Sequence, residues 1–295
     1  MSIVALIEVL DYCIGCNSCV EVCPRYLFSV EHNKAVITNF VHCHDCGHCV
    51  AVCPVDAINH RRIIVNSLDE DFPKIQRQFS YDETLAFIRQ RRSIRYFSNK
   101  KVSAEQINQL IELGRFAPTG HNARKVAYTI VRERDQIETI LNAMIEFFKD
   151  LTKKANSPLW NVLATLVGKQ KYLSQIKRNM YRLESHISHW EKGIDKVFHN
   201  ASTLLLIHVT KKTATPVEDC AIAAQNIMLG APSIKLGATF IGYLLHSWKG
   251  SKVIRDIIGI PADHGLYACL AIGYPKNKFK RTVPRPDPKV TIWEE

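Results

Sequence analysis

The 295-residue sequence predicts an α+β protein in two parts, a small cysteine-dense module followed by a larger domain of mixed helices and strands. Three observations lead there. Eight of the ten cysteines crowd into residues 13–53; helix-capping signals and strand-like apolar runs interleave from Ser80 onward; and 46% apolar residues give enough material for a sizeable core.

The cysteines come first in the chain. Cys13-Ile-Gly-Cys16-Asn-Ser-Cys19-Val-Glu-Val-Cys23-Pro24 and Cys43-His-Asp-Cys46-Gly-His-Cys49-Val-Ala-Val-Cys53-Pro54 are two copies of C-x2-C-x2-C-x3-C-P. Two-residue gaps let a loop curl around a cube so that three thiolates reach three irons, while the fourth cysteine serves the other cube. This predicts one 4Fe–4S cluster on Cys13, Cys16, Cys19 and Cys53, and a second on Cys43, Cys46, Cys49 and Cys23. A disulfide framework fits a secreted chain, and zinc ribbons use two separated cysteine pairs, so both alternatives are set aside.

Between the runs, Tyr26–Val30 and Lys34–Thr38 read as a hairpin around His32-Asn33, and Ala57–His60 repeats the position of Leu27–Val30. The repeat is about thirty residues long. His42, His44 and His48 surround the second run; they are either N–H···S donors that tune the cluster, groups that couple it to a proton, or, as expected here, surface histidines without a role.

Residues 63–79 are polar, acidic and broken by proline, and read as a linker between a module at 1–62 and a domain at 80–295. In that domain Ser80-Tyr-Asp-Glu83 is a capping box for a helix to about Arg92, and Ser103-Ala-Glu-Gln106 opens another. The second helix breaks at Ala117-Pro118-Thr119-Gly120, and Val126–Val131 follows as a strand. Thr215-Pro216-Val217-Glu218 starts a third helix, with Glu218 reaching back to the cap and apolar residues carrying it through Leu236. Strands are expected at Thr203–Val209, Thr239–Leu244 and Tyr267–Gly273, and residues 136–195 are expected to be helical.

Charge limits the partners. Residues 1–70 carry eight acidic side chains against four basic ones, or −4, so the net +11 leaves +15 on the rest. An acidic module joined to a basic domain fits either two partners held together or a basic part that binds an anionic ligand; basic runs such as Lys211-Lys212 are solvated faces, and nucleic acid is not the expected partner. The apolar runs Ile3–Leu10 and Leu204–Val209 are too short to span a bilayer, no secretory signal precedes Cys13, and a reducing, cytoplasmic setting is expected.

The candidate ligand-binding residues fall in separated patches. Arg91-Arg92-Ser93-Ile94-Arg95 offers guanidiniums and a hydroxyl suited to phosphate. Pro118-Thr119-Gly120-His121-Asn122 is a tight polar turn, and Gly273-Tyr274-Pro275 leads to Lys280-Arg281. Cys220 and Cys269 lie on apolar stretches as small buried side chains, and Trp160, Trp190 and Trp248 either line a pocket or pack.

The amino-terminal motifs resemble the bacterial two-cluster ferredoxin domain. The order of the later patches, with Glu218-Asp219 beginning a long helix and Leu236-Gly-Ala-Thr-Phe-Ile241-Gly242 ending it, resembles the nitroreductase family of FMN flavoproteins over about residues 81–295. The resemblance implies a ferredoxin-like two-cluster domain followed by a nitroreductase-type α+β sandwich. It assigns Arg91, Arg92 and Ser93 to the phosphate and ribityl end of FMN, and Arg95 to the ribityl and the N1–C2=O edge. Pro118, Thr119, Gly120 and Asn122 form the family's turn, which here loses its Q-P-W ending. Ile241, Gly242 and Tyr243 map near the flavin N5, and Arg281 with Lys280 to the phosphate.

The resemblance further implies an iron–sulfur flavoprotein oxidoreductase. Electrons pass from an external donor, a ferredoxin or NAD(P)H, through the clusters to FMN and on to a small organic acceptor such as a nitroaromatic or quinone. It also implies a homodimer with FMN at the interface and the proline-rich tail Val283–Trp293 crossing to the partner. Alternatives are another flavin reaction on the same scaffold, such as dehalogenation or dehydrogenation, and a non-catalytic electron carrier or redox sensor.

Overall fold

A computed structural model describes residues 7–38, 42–61, 63 and 77–293. These fall into two units, one within Met1–Phe79 together with His121–Ala123, the other Ser80–Gly120 with Arg124–Glu295. The expected linker lies almost wholly outside the described residues.

The first unit has the order β1 (Ile7–Val9), α1 (Ser18–Glu21), β2 (Phe28–Glu31), β3 (Lys34–Ile37), α2 (His48–Val52) and β4 (Ile58–His60). β2 and β3 form the expected hairpin, closed by His32 and Asn33, both at positive φ (50° and 58°) as a two-residue turn with the right twist requires. β1 pairs antiparallel with β4, setting Ile7 opposite His60. The internal repeat is visible in the backbone itself. Gly15 and Asp45, Asn17 and Gly47, and Tyr26 and Asp56 are three left-handed pairs at matching places in the two halves. A side chain on Gly15 would meet the Asn33 carbonyl oxygen at 2.5 Å, so that turn tolerates only glycine. Ile7, Leu27, Phe28, Ala35 and Ile58 pack with the cysteines into one small core.

The second unit is a four-stranded antiparallel sheet with helices on both faces. Its strands are β5 (Ala127–Val131), β6 (Thr203–Thr210), β7 (Gly237–Phe240) and β8 (His264–Gly273), in the order β5-β6-β8-β7. The helices are α3 (Tyr81–Gln90), α4 (Ala104–Arg115), α5 (Arg134–Asn156), α6 (Pro158–Leu166), α7 (Gln170–Glu191), α8 (Pro216–Gly230), α9 (Gly242–Gly250) and α10 (Lys252–Ile258). Ile107, Leu110, Ala224 and Ile227 of α4 and α8 meet Leu205, Ile207, Leu270 and Ile272 on one face. Ile137, Leu141, Met144, Ile145 and Phe148, a three-and-four stripe along α5, meet Leu204, Leu206, Leu266 and Cys269 on the other. The register of β6 against β8 shifts after Ile207, where Tyr267 of β8 is the extra residue.

Both capping boxes form, Ser80 with Glu83 and Ser103 with Gln106. Three expectations need correction. α8 stops at Gly230 and not at Leu236, because Pro232 has no N–H for the helix ladder and the chain tightens into a 3-10 turn over Ala231–Ile234. Glu218 does not cap α8; its neighbour Asp219 takes the Thr215 hydroxyl, Oγ1 to Oδ1 2.8 Å. The strand expected over Thr239–Leu244 ends at Phe240, since α9 begins at Gly242. Residues 282–293 form no helix or strand and are exposed. No helix among the described residues is long and apolar enough to cross a membrane.

Candidate cluster and flavin sites

The eight cysteines of the first unit line two separate cavities. Cys13, Cys16, Cys19 and Cys53 share one with Ala35 and Ile58; Cys23, Cys43, Cys46 and Cys49 share the other with Phe28 and His60. Each run contributes three thiols to one cavity and its fourth to the other, which is the crossing that the spacing predicts. Short helices α1 and α2 produce it, turning Cys19 and Cys49 inward and releasing Cys23 and Cys53 in the opposite direction.

The sulfurs sit among backbone donors. The N–H groups of Leu27 and Ala57 point at Cys23 and Cys53 Sγ (3.4 and 3.2 Å), at equivalent places in the two halves, and those of Ala35 and Asp45 at Cys13 and Cys43 Sγ (3.5 and 3.3 Å). Burial pushes the Cys49 thiol up to about 12 and raises Cys19 as well. Thiols so placed ionise only beside a cation, and iron supplies one, so the donor set fits a cluster. Among the described residues His60, to which the motifs assign no role, is brought to a sulfur. His44 instead sets its ring edge against His121, and the His42 carbonyl accepts from Arg25 Nε.

In the second unit, residues 93–98 run as a strand-like segment. Ser93 bridges Ala238 in parallel, Ile94 N–H donates to the Ala238 carbonyl at 3.1 Å, and Phe97 bridges Pro275. Gly237 permits this approach, because a side chain there would meet Ile94 at 2.4 Å. The outcome is a cavity of about 410 Å3 whose wall carries Arg89, Arg92, Lys278, Lys280 and Arg281. Arg92 Nη2 is buried with no hydrogen-bond partner among the described residues. A buried guanidinium nitrogen among further cations calls for an anion with several acceptor oxygens, and a phosphomonoester fits.

The remaining expected flavin residues lie elsewhere. Arg91, Ser93 and Arg95 are adjacent in sequence but not on that cavity wall. The turn Pro118–Gly120 is held from below: Gly120 N–H donates to Asp219 Oδ1 at 2.9 Å, and Thr119 Oγ1 accepts from Arg124 N–H at 3.0 Å. Asn122 belongs with the first unit, where its Nδ2 donates to the His44 and Asp45 carbonyls, both at 2.9 Å. Ile241 is buried, Gly242 opens α9, and the Tyr243 ring meets His186 at 4.8 Å and Phe148 at 5.8 Å between centroids.

Asp219 and Arg89 were not legible as site residues; Asp219 acts across 99 positions of sequence. A larger cavity, about 840 Å3, opens among α5, α6, α7 and the start of α10, lined by Phe147, Leu151, Trp160, Leu163 and Tyr172. Trp160 is thus a lining residue, whereas Trp248 is buried and Trp190 donates to Asn142 Oδ1 at 2.8 Å. Cys220 and Cys269 are fully buried with thiols raised by burial, as expected of small core side chains.

Comparison with known proteins agrees with this division. An FMN reductase (NADPH) of Bacillus subtilis is 25% identical over 197 residues, 66% of this chain and 67% of that protein. The crystal structure of a nitroreductase with bound FMN from Bacteroides fragilis superposes with a TM-score of 0.52 at 23% identity, covering 72% of this chain and 99% of that one. A nitroreductase with bound FMN from Desulfitobacterium hafniense gives 0.51 at 20% identity, over 72% and 98%. Residues 5–54 match the 4Fe-4S dicluster domain and residues 88–274 the nitroreductase family, so the chain belongs to the nitroreductase family and carries a dicluster domain ahead of its sheet.

Proposed function

We propose that the protein is an iron–sulfur flavoprotein oxidoreductase. A low-potential donor, a ferredoxin or NAD(P)H, supplies electrons to the cysteine-rich unit, and the nitroreductase-type unit delivers them to an organic acceptor such as a nitroaromatic or quinone. The observation that carries the reading is the buried, unpartnered Arg92 Nη2 beside Lys280 and Arg281, in a chain whose other unit sorts eight thiols into two crossed sets of four.

FMN, when bound, supplies the conversion of single electrons into the pairs that organic reductions need. The chain's own residues do the rest. Arg92, Lys280 and Arg281, on one cavity wall, would bind the phosphate, and Arg91 and Ser93, next to Arg92 in the chain but off that wall, would take the ribityl end. Arg95 would supply a fixed positive charge toward the N1–C2=O edge, where a cation would favour the reduced flavin. Pro118, Thr119 and Gly120 would present backbone to the ring, with Asp219 accepting the Gly120 N–H and so fixing the turn, and Ile241, Gly242 and Tyr243 would lie toward N5. Cys13, Cys16, Cys19 and Cys53 hold one cluster, Cys43, Cys46, Cys49 and Cys23 the other, and the N–H groups aimed at their sulfurs favour added negative charge.

We further propose a homodimer with the flavin at the interface and the exposed tail Val283–Trp293 reaching across. Anaerobically purified protein is expected to contain about eight irons per chain and bound FMN, and to run as a dimer. Once reduced, it is expected to be reoxidised by a nitroaromatic or quinone in proportion to its flavin content. About four irons, or a reduced protein that none of these acceptors reoxidises, would remove the reading.

A further inference from the structure

The two halves of the cysteine-rich unit repeat so closely that their differences stand out. Seven residues after Cys23 stands Val30, at the equivalent place in β2 to the one His60 occupies in β4, seven after Cys53. His60 is fully buried, 0% exposed, on the wall of the cavity that holds Cys23, Cys43, Cys46 and Cys49. Its Nε2 lies 3.4 Å from Cys43 Sγ and 3.5 Å from Asp45 Oδ1.

The proton on that nitrogen follows from its neighbours. A cluster-bound cysteine sulfur and a carboxylate oxygen are both acceptors, so a nitrogen between them is placed to donate; Nε2 carries the hydrogen. Cys43, Asp45 and His60 stand close enough together to resemble a three-ligand metal site, with their donor atoms within 4.8 Å. Cys43 Sγ, however, faces the same cavity as three other thiols, and its lone pairs serve that set. His60 is therefore a donor to a ligand and not a ligand itself.

We propose that His60 is a positioning residue that raises the reduction potential of one cluster relative to the other. The inference rests on the ligand sets of the proposed function. An N–H···S bond is stronger when the sulfur carries more negative charge, so it stabilises the one-electron-reduced form over the oxidised form. One electron is added and no proton moves. Cys43 Sγ receives the Asp45 N–H and the His60 Nε2–H, whereas at the repeat position of the other half a valine offers no donor. A single side chain thus breaks the symmetry of the pair, and electrons settle preferentially on the cluster held by Cys43, Cys46, Cys49 and Cys23.

The test is an anaerobic redox titration of the full-length protein followed by electron paramagnetic resonance, on the wild type, His60→Val and His60→Gln. His60→Val reproduces the residue of the other half. It is expected to lower one of the two one-electron potentials by about tenfold in the reduction equilibrium, about 59 mV for a one-electron couple, and to leave the other in place. His60→Gln retains a side-chain N–H and is expected to recover most of the shift. Two unmoved potentials at full iron content in His60→Val overturn the proposal, as does an equal shift of both. If the valine variant loses iron, the reduced wild type labelled with 15N-histidine is expected to show nitrogen coupling to a cluster, and its absence overturns the proposal. A wild-type iron content of about four overturns the ligand sets on which the inference stands, and is distinguishable because no second potential exists to compare.

Discussion

Asp219 Oδ1 accepts the Gly120 N–H at 2.9 Å, joining the first turn of α8 to the loop that follows α4. The same oxygen accepts the Thr215 hydroxyl, and the carboxylate is only 2% exposed. One buried side chain thus fixes a turn that the proposed reading places against the flavin.

Replacing Asp219 by Ala leaves the Gly120 N–H and the Thr215 hydroxyl without their acceptor, at a cost of about 2 kcal/mol. The expected outcome is a lower melting temperature together with faster loss of flavin on dialysis. Asp219→Asn retains one acceptor oxygen and is expected to fall between. A variant that melts lower but holds flavin as the wild type does would show that the turn is structural only.

Arg92→Ala is expected to weaken FMN binding by about 10- to 100-fold, the worth of a charge-assisted contact to phosphate. Riboflavin lacks the phosphate, so its affinity is expected to be the same in variant and wild type. Fluorescence titration of the flavin-free protein with both compounds separates a phosphate contact from a general loss of shape. Arg281→Ala is expected to act in the same sense.

Much of this was legible in the sequence, and the reason is range. Capping boxes at Ser80 and Ser103 and the hairpin at His32-Asn33 are decided within a few residues, and each appears as expected; the C-x2-C-x2-C-x3-C-P runs are equally local, and their eight thiols line two cavities. The apolar run after Ala221 misled because hydrophobicity continues through Leu236 while the helix cannot pass Pro232. The roles of Asp219 and His60 were not legible for the opposite reason: each acquires its role only when distant segments meet, Gly120 in one case and Cys43 in the other. Among the proposed phosphate contacts, the sequence grouped Arg91 with Arg92, and only the geometry selects Arg92 for the cavity wall.

His208 predicts an acid sensitivity with a definite sign. It is buried, its Nδ1 lies 2.8 Å from His264 Nδ1 and its Nε2 3.0 Å from Thr129 Oγ1. Burial, with His264 beside it, holds its pKa down to about 4, against 6.5 for the ordinary imidazole. Below pH 6.5 the unfolded chain takes up this proton and the folded one does not, so the contribution is whole above 6.5 and is lost as pH falls toward 4. All four tryptophans, Trp160, Trp190, Trp248 and Trp293, lie in the second unit, so their fluorescence follows its unfolding without interference from the cysteine-rich unit. The urea midpoint is expected to drop from pH 7 to pH 5 in the wild type and to drop less in His208→Gln.

Phe148 is 2% exposed and packs against the Tyr243 ring and His186 on the α5 face of the sheet. Phe148→Ala is expected to cost about 3–5 kcal/mol through lost burial and the cavity left behind. Chemical denaturation followed by tryptophan fluorescence measures it, and a loss under about 1 kcal/mol would mean that the neighbours collapse into the space.

The extra residue in β8 makes strand length a matter of sidedness. Tyr267 and Ala268 both belong to the α4 and α8 side, and Leu266 therefore returns to the α5 side, where it pairs with His208. Deleting Tyr267 would therefore remove the bulge and leave Leu266 opposite His208 on the α5 side, whereas deleting a residue from the regular stretch of β8 would turn over everything before the cut. A substitution in this strand alters one contact, and the bulge can be lost without changing sides, but a one-residue deletion in the regular stretch would invert a whole segment and with it which side of the sheet is greasy.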